Sequence, residues 1–271
     1  MIVDYHMHLR NPQEEIDFSL EAVERYVATA VRRGVDELGF SEHVYYFRQT
    51  SEIWSVPYQV ERCAHDLDAY CGAVLEAKEA GLPVKLGLEV DYVGVRQAEL
   101  ASMLAPYPFD FLLGSVHYVD GEAVDQQPGI WAGRTIDEVW DLYAGAVCEL
   151  ASSGAVDVLA HVDLAKIFGQ RPDPVRAAEL HERLGQAIAA AGVGVEISTA
   201  GLRKPVGELY PDYGLLRACR EHGVPVTLAS DAHMPGLVGQ DFDEALELAG
   251  DAGCETVTVF EARAGRQEPL G

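Results

Sequence analysis

The chain carries nine histidines, and the first two stand one residue apart in the segment IVDYHMHLR, residues 2–10. Residues i and i+2 of a strand face the same side. His6 and His8, at the end of the apolar run Ile2–Tyr5, therefore have the spacing to hold one metal ion together. H-x-H alone is a weak signal, because two surface histidines give the same pattern. The other ionisable residues strengthen it. Glu42 and His43 follow the run Glu37–Ser41, and Glu89 and Asp91 close Val84–Val90. His117 follows Phe111–Val116, and His161 and Asp163 follow Val156–Ala160. Glu196 and Ser198 lie in Val193–Ser198, and Asp231 and His233 follow Val224–Ser230. Imidazole nitrogens and carboxylate oxygens are ligands for zinc, manganese and iron. A carboxylate can bridge two ions, and ions about 4 Å apart can clamp the attacking and leaving oxygens of an in-line displacement.

These residues need elements that bring them to one place. Short apolar, β-branched runs alternate with longer amphipathic stretches, and an eighth run is Thr256–Phe260. Ser19–Arg33 repeats Leu20, Val23, Val27 and Val31 at helical spacing, and Gly34 ends it. Thr135-Ile-Asp-Glu138 reads as a capping box that opens a helix ended by Gly154. Pro172–Ala191 predicts a further helix, and Gln59–Ala80 is helical by composition, after a long loop at Phe47–Tyr58. Strand and helix in strict alternation predict an α/β fold with parallel strands and helices outside. Periodicity admits a barrel or a doubly wound open sheet. In a barrel the C-terminal strand ends converge on one face, where active sites form. His65, His181 and His222 fall in helical stretches and read as surface residues.

Composition narrows the function. Lys and Arg total 20 against 44 for Asp and Glu, a net charge of −24. So acidic a body repels phosphodiester backbones and anionic membranes, which argues against nucleic-acid and membrane partners. The five cysteines are odd in number and never spaced C-x-x-C, which fits a reducing cytoplasm. Neither a signal peptide nor an apolar run near the ~20 residues of a membrane span is expected.

The motifs DYHMH, SEH, LGLEVDY, GSVHYVDG, AHVDLAKIFG, EISTAGLRKPVGELYP and ASDAHMPGLVG follow one another along the chain. In them, from about residue 2 to about residue 260, the sequence resembles the polymerase-and-histidinol-phosphatase (PHP) superfamily. The last three are similar to its histidinol-phosphatase branch. The resemblance implies a distorted (β/α)7, TIM-like barrel as a single domain over residues 1–271, with two or three divalent ions (Zn, Mn or Fe). It also implies hydrolysis of L-histidinol phosphate to L-histidinol and phosphate in histidine biosynthesis. Carried over by motif, the first ion falls to His6, His8, Glu89 and Asp231, and the second to His117 and His161 with Glu89 bridging. The third takes His43 and His233. One position departs: the superfamily commonly places a histidine six residues after the second His of H-x-H, where this chain has Glu14. Glu14 or Glu15 either supplies a carboxylate to the third ion, favouring a harder metal, or simply precedes a helix N-terminus, where acids are favoured anyway.

The implied reaction is attack on phosphorus by a metal-bridging hydroxide, in line with the leaving alkoxide. In a chain so short of cations, Arg203 and Lys204 in GLRKP stand out as phosphate contacts, the first as a fork and the second as a point charge. Lys166 is a further candidate. Asp4 and Asp163 each lie two residues from a ligand histidine and are expected to orient it, or Asp163 to protonate the leaving oxygen. Asp91, Glu42, Tyr45, Tyr46 and Tyr118 are the sequence neighbours available to the substrate's ammonium and imidazole. Two rival readings keep the fold: a phosphoesterase for another small phosphomonoester or nucleotide, and a non-catalytic metal-holding module.

Overall fold

A computed structural model describes residues 1–271. The strand β1 (Val3–Asp4) pairs in parallel with β2 (Glu37–Phe40), and β2 with β3 (Val84–Leu86). Beyond Gly87-Leu88 the same stretch resumes as β4 (Glu89–Asp91), which pairs with β5 (Leu113–Ser115). A short antiparallel hairpin follows, β6 (Tyr118–Val119) with β7 (Glu122–Ala123). Then β8 (Val158–Leu159) pairs with β5, β9 (Gly194–Ser198) with β8, and β10 (Val226–Ala229) with β9, all in parallel.

The two arcs join at both seams. Tyr5 N donates to Leu228 O at 3.1 Å, Ala232 N to His6 O at 3.2 Å and His8 N to Ala232 O at 2.9 Å. Across the other seam, Glu89 N donates to Glu42 O at 2.9 Å, within a parallel bridge between His43 and Glu89. The result is a closed barrel of seven parallel strand positions, with β3 and β4 as one bent strand. Helices α1 (Leu20–Arg33), α2 (Pro57–Arg62), α3 (Leu67–Glu79), α4 (Gln97–Leu104), α5 (Ile136–Ser152), α6 (Pro174–Ala191), α7 (Tyr213–Glu221) and α8 (Phe242–Asp251) fill the connections. This is a distorted (β/α)7 barrel, and an open sheet is excluded by the hydrogen bonds at the seams.

Local signals explain most boundaries. Ser19 caps α1 by accepting from Ala22 N, and Gly34 ends it at φ 71°. Thr135 and Glu138 form the capping box of α5. Asp173 caps α6, and Gly192 ends it at φ 73°. The stretch Gln59–Ala80 is a correction: it is two helices rather than one. Ala64 N and His65 N both bond to Tyr46 O, and Asp66 starts α3 afresh. His65 consequently lies in a bridge with Phe47, not in a helix, and packs edge-on to Phe18. Phe47–Tyr58 is not a plain loop either, since Arg48–Ile53 coils into 3-10 turns before α2 begins at Pro57.

The eighth run leaves the barrel. Thr256–Glu261, β11, pairs antiparallel with β12 (Ala264–Pro269). This hairpin lies across the end where the strands begin: Arg263 binds Asp157 at 2.8 Å and 2.9 Å and donates its N–H to Asp110 O. Beneath it, Tyr5 stacks on Phe111 at 4.9 Å and Phe260 stands 6.0 Å from both. Phe111 occupies space that two glycines leave open: a Cβ at Gly39 or Gly87 would sit 2.5 Å or 2.2 Å from its ring. The starting end of the barrel is thus sealed by an aromatic plug.

Candidate metal centre

At the opposite end, the residues that follow the strands meet. His6 Nε2 lies 3.5 Å from Glu89 Oε2 and 3.7 Å from Asp231 Oδ1, and His8 Nε2 lies 3.7 Å and 3.3 Å from the same two oxygens. On the other side of Glu89, Oε1 is 3.3 Å from His161 Nε2 and 3.5 Å from His117 Nε2. His43 Nδ1 is 2.5 Å from Glu89 Oε2, and His8, His43 and His233 form a further triad of converging donors. Glu89 is therefore at the hub, with one oxygen toward each side.

Carboxylates behind the centre fix two of the imidazoles and stand near a third. Glu196 meets His6 Nδ1 at 2.9 Å and also accepts from His161 N at 2.9 Å. Asp91 meets His117 Nδ1 at 2.9 Å, and Glu42 lies 3.6 Å from His8 Nδ1. The hydrogen bonds from Glu196 and Asp91 choose the tautomer that leaves the opposite nitrogen of His6 and His117 free for a ligand. His161 and Asp231 adopt left-handed backbone at φ 27° and 51°, a cost found where structure serves a site. Burial pushes the carboxyls of Glu89 and Asp231 up, but the imidazoles around them hold both well below the ordinary range.

The centre fits metal ions. His6 Nε2, His8 Nε2, His43 Nδ1 and Glu89 Oε2 are buried without a hydrogen-bond partner. Buried polar atoms left unpaired are costly, and here they converge on shared points, as ligands of cations do. The groups His6–His8–Asp231, His6–Glu89–His161 and His8–His43–His233 each offer three donor atoms within 4.8 Å of one another.

Several expected placements need correction. The Glu14 side chain is exposed, in a turn where Asn11 binds the backbone and side chain of Glu15, and neither acid belongs to the cluster. The charged residue near that edge is Arg10, whose Nη1 binds the buried Glu42 at 2.8 Å. Asp163 does not face the cavity: its Oδ2 holds Lys166 Nζ at 2.7 Å and accepts from Asp212 N at 2.8 Å. Lys166 is fully buried by that pair and by Leu209 O, so it is no phosphate contact. Arg203 donates to the carbonyls of Thr199 and Ser230 instead of entering the cavity. Asp4 accepts from Ser230 N, Ser230 Oγ and Gly239 N at 2.6–2.9 Å and braces the segment carrying Asp231 and His233, not an imidazole. Lys204 does line the cavity. The roles of Glu196 and Asp91 as imidazole braces were missed; their positions at strand ends were the available signal.

The cavity over the centre measures about 210 Å³, walled by Tyr45, Tyr58, Tyr118 and Tyr210 and floored by Glu89, His117, His161 and Asp231. A family model described as the PHP domain matches residues 4–200. The chain belongs to the PHP family. Among PHP relatives, a protein of Deinococcus radiodurans named probable histidinol-phosphatase is 34% identical over 236 residues, covering 86% of this chain and 88% of that one. The histidinol-phosphatase of Bacillus subtilis is 25% identical over 257 residues, covering 84% and 93%. In structure, the PHP chain resembles the histidinol phosphate phosphatase of Lactococcus lactis, solved with zinc, L-histidinol and phosphate. The TM-score is 0.76 at 19% identity, with 98% of each chain covered.

Proposed function

We propose that this PHP protein is a metal-dependent histidinol-phosphatase, which hydrolyses L-histidinol phosphate to L-histidinol and phosphate. The observation that carries the reading is the convergence of six imidazoles on Glu89 and Asp231, with unpaired donor atoms, beneath a small-molecule-sized cavity. The relatives named histidinol-phosphatase supply the substrate. His6, His8, Glu89 and Asp231 would hold one divalent ion, and His117, His161 and Glu89 would offer donors to a second. His43 and His233 would offer donors to a third. Bound there, zinc, manganese or iron supplies Lewis acidity toward the phosphoryl oxygens and toward water.

The chain's own groups do the rest. Glu196 and Asp91 hold His6 and His117 in one tautomer and one orientation. Lys204, with no carboxylate partner within salt-bridge distance, is the free cation on the cavity wall and takes a phosphate oxygen. Arg203 acts at one remove: with Asp4 it grips Ser230 and so positions Asp231. Leu164, Ile167 and Ala200 narrow the apolar side of the cavity, and the tyrosines offer faces on which an imidazole can stack. No helix is long and apolar enough to cross a membrane, and the reading includes a cytoplasmic setting.

The test is phosphate release. Purified protein supplied with zinc, manganese or iron should release phosphate from L-histidinol phosphate faster than from nucleoside monophosphates, and a chelator should stop it. Absence of release with every metal overturns the proposal.

A further inference from the structure

The cavity holds one acid that the metal cluster does not engage. Val124 N donates to His117 O at 2.8 Å, and Val124 O accepts from the Trp131 indole at 3.3 Å. Beyond it, Gly129 (φ 43°) brings the returning chain so close that a Cβ there would sit 2.2 Å from Ala123 O. The loop is therefore held from both sides, and its next residue, Asp125, is fixed at the wall of the cavity beside Gln126 and Tyr118. Asp125 Oδ1 is buried with no hydrogen-bond partner, and no cation lies within salt-bridge distance of the carboxylate. It belongs to none of the metal-donor groups. Lys204 lines the same cavity and is its free cation. A buried carboxylate oxygen left without a donor is costly in the free protein. A ligand that brings a donor offsets that cost on binding.

An anion and a cation lining one cavity, together with the metal-donor cluster at its floor, complement a zwitterion. We infer that Asp125 receives the ammonium group of the substrate and makes the enzyme selective for phosphomonoesters bearing a cationic amine near the ester. This rests on the reading above and assigns a specificity-determining residue within it. The ammonium donates to Asp125 Oδ1, a charge-assisted hydrogen bond. No bond to phosphorus involves Asp125.

The experiment compares L-histidinol phosphate with its desamino analogue, in which hydrogen replaces the ammonium and the leaving alcohol is otherwise the same. Wild-type kcat/KM should favour the amine by roughly 10- to 100-fold, the size of one charge-assisted hydrogen bond. In Asp125→Asn that preference should fall to within about threefold, through KM more than kcat, with metal content per chain as in the wild type. Equal losses on both substrates in the variant mark a proton donor or a structural residue and overturn the inference. So does a wild type indifferent to the amine, a result that does not depend on the variant folding. A wild type that hydrolyses neither ester overturns the histidinol-phosphatase reading itself.

Discussion

The two ends of the barrel solve opposite problems. Where the strands begin, Tyr5, Phe111 and Phe260 fill the opening, and Gly39 and Gly87 give up their side chains to make room. Where the strands finish, imidazoles and carboxylates crowd together with buried donor atoms unpaired. One end is close-packed and apolar, so its groups contribute by excluding water. The other is polar and incomplete, and cations complete it. Stability should therefore reside largely in the plug and chemistry almost wholly in the imidazole layer. Changes at one end should leave the other end's property nearly intact.

The strongest test of that separation is Glu89→Gln. Removing the hub should lower kcat/KM on L-histidinol phosphate by about a thousandfold or more, as for other residues that align reacting groups. Metal content measured by elemental analysis should fall, while the melting temperature of the chelated protein stays close to wild type. At the other end, Phe111→Ala should cost about 3–5 kcal/mol by leaving a cavity, read as a lowered urea midpoint. Gly87→Ala should cost about 1–3 kcal/mol through overpacking. Combined with Phe111→Leu it should cost less than the sum, because the two changes share one space. Metal affinity should be unchanged in each.

Smaller effects sharpen the contrast within the imidazole layer. Asp91→Asn and Glu196→Gln keep every proposed ligand but loosen its brace, and each should weaken metal binding by about 10- to 100-fold, measured by competition with a chelating dye. Lys204→Ala should raise KM by about tenfold without loss of metal, as for one lost charge-assisted contact. Arg203→Ala should instead lower both stability and metal content, because it supports Ser230 and Asp231. The smallest effect concerns Arg10. Burial pushes the Glu42 carboxyl up, but Arg10 and His8 outweigh it and hold the group at about 2. A depressed carboxyl contributes stability above its ordinary value near 4.5, lost as pH falls toward 2. Arg10→Met in chelated protein should therefore move the midpoint of acid unfolding upward, followed by circular dichroism.

Much of this was legible in the residues themselves. Alternating apolar runs and amphipathic stretches specify strand and helix because their periods differ, and Ser19, Thr135, Gly34 and Gly192 mark helix ends through local hydrogen bonds and backbone freedom. The clustering of the six imidazoles with Glu89 and Asp231 was legible for a related reason: these residues stand at strand ends, and parallel strands present all such positions at one end. Other features depend on contacts distant in sequence. Glu196 braces His6 across 190 positions, and Asp4 grips Ser230 across 226. Proximity along the chain had suggested instead that Asp4 and Asp163 serve the nearest histidines. Where Glu14 and Arg203 point was likewise decided by their surroundings, a turn capped by Asn11 and the carbonyls of Thr199 and Ser230. The sequence by itself determined which groups arrive at the mouth of the barrel, because secondary structure and strand direction are local properties. Only the tertiary structure decided which of them face the cavity and which hold the others in place, because that depends on partners that barrel closure brings together.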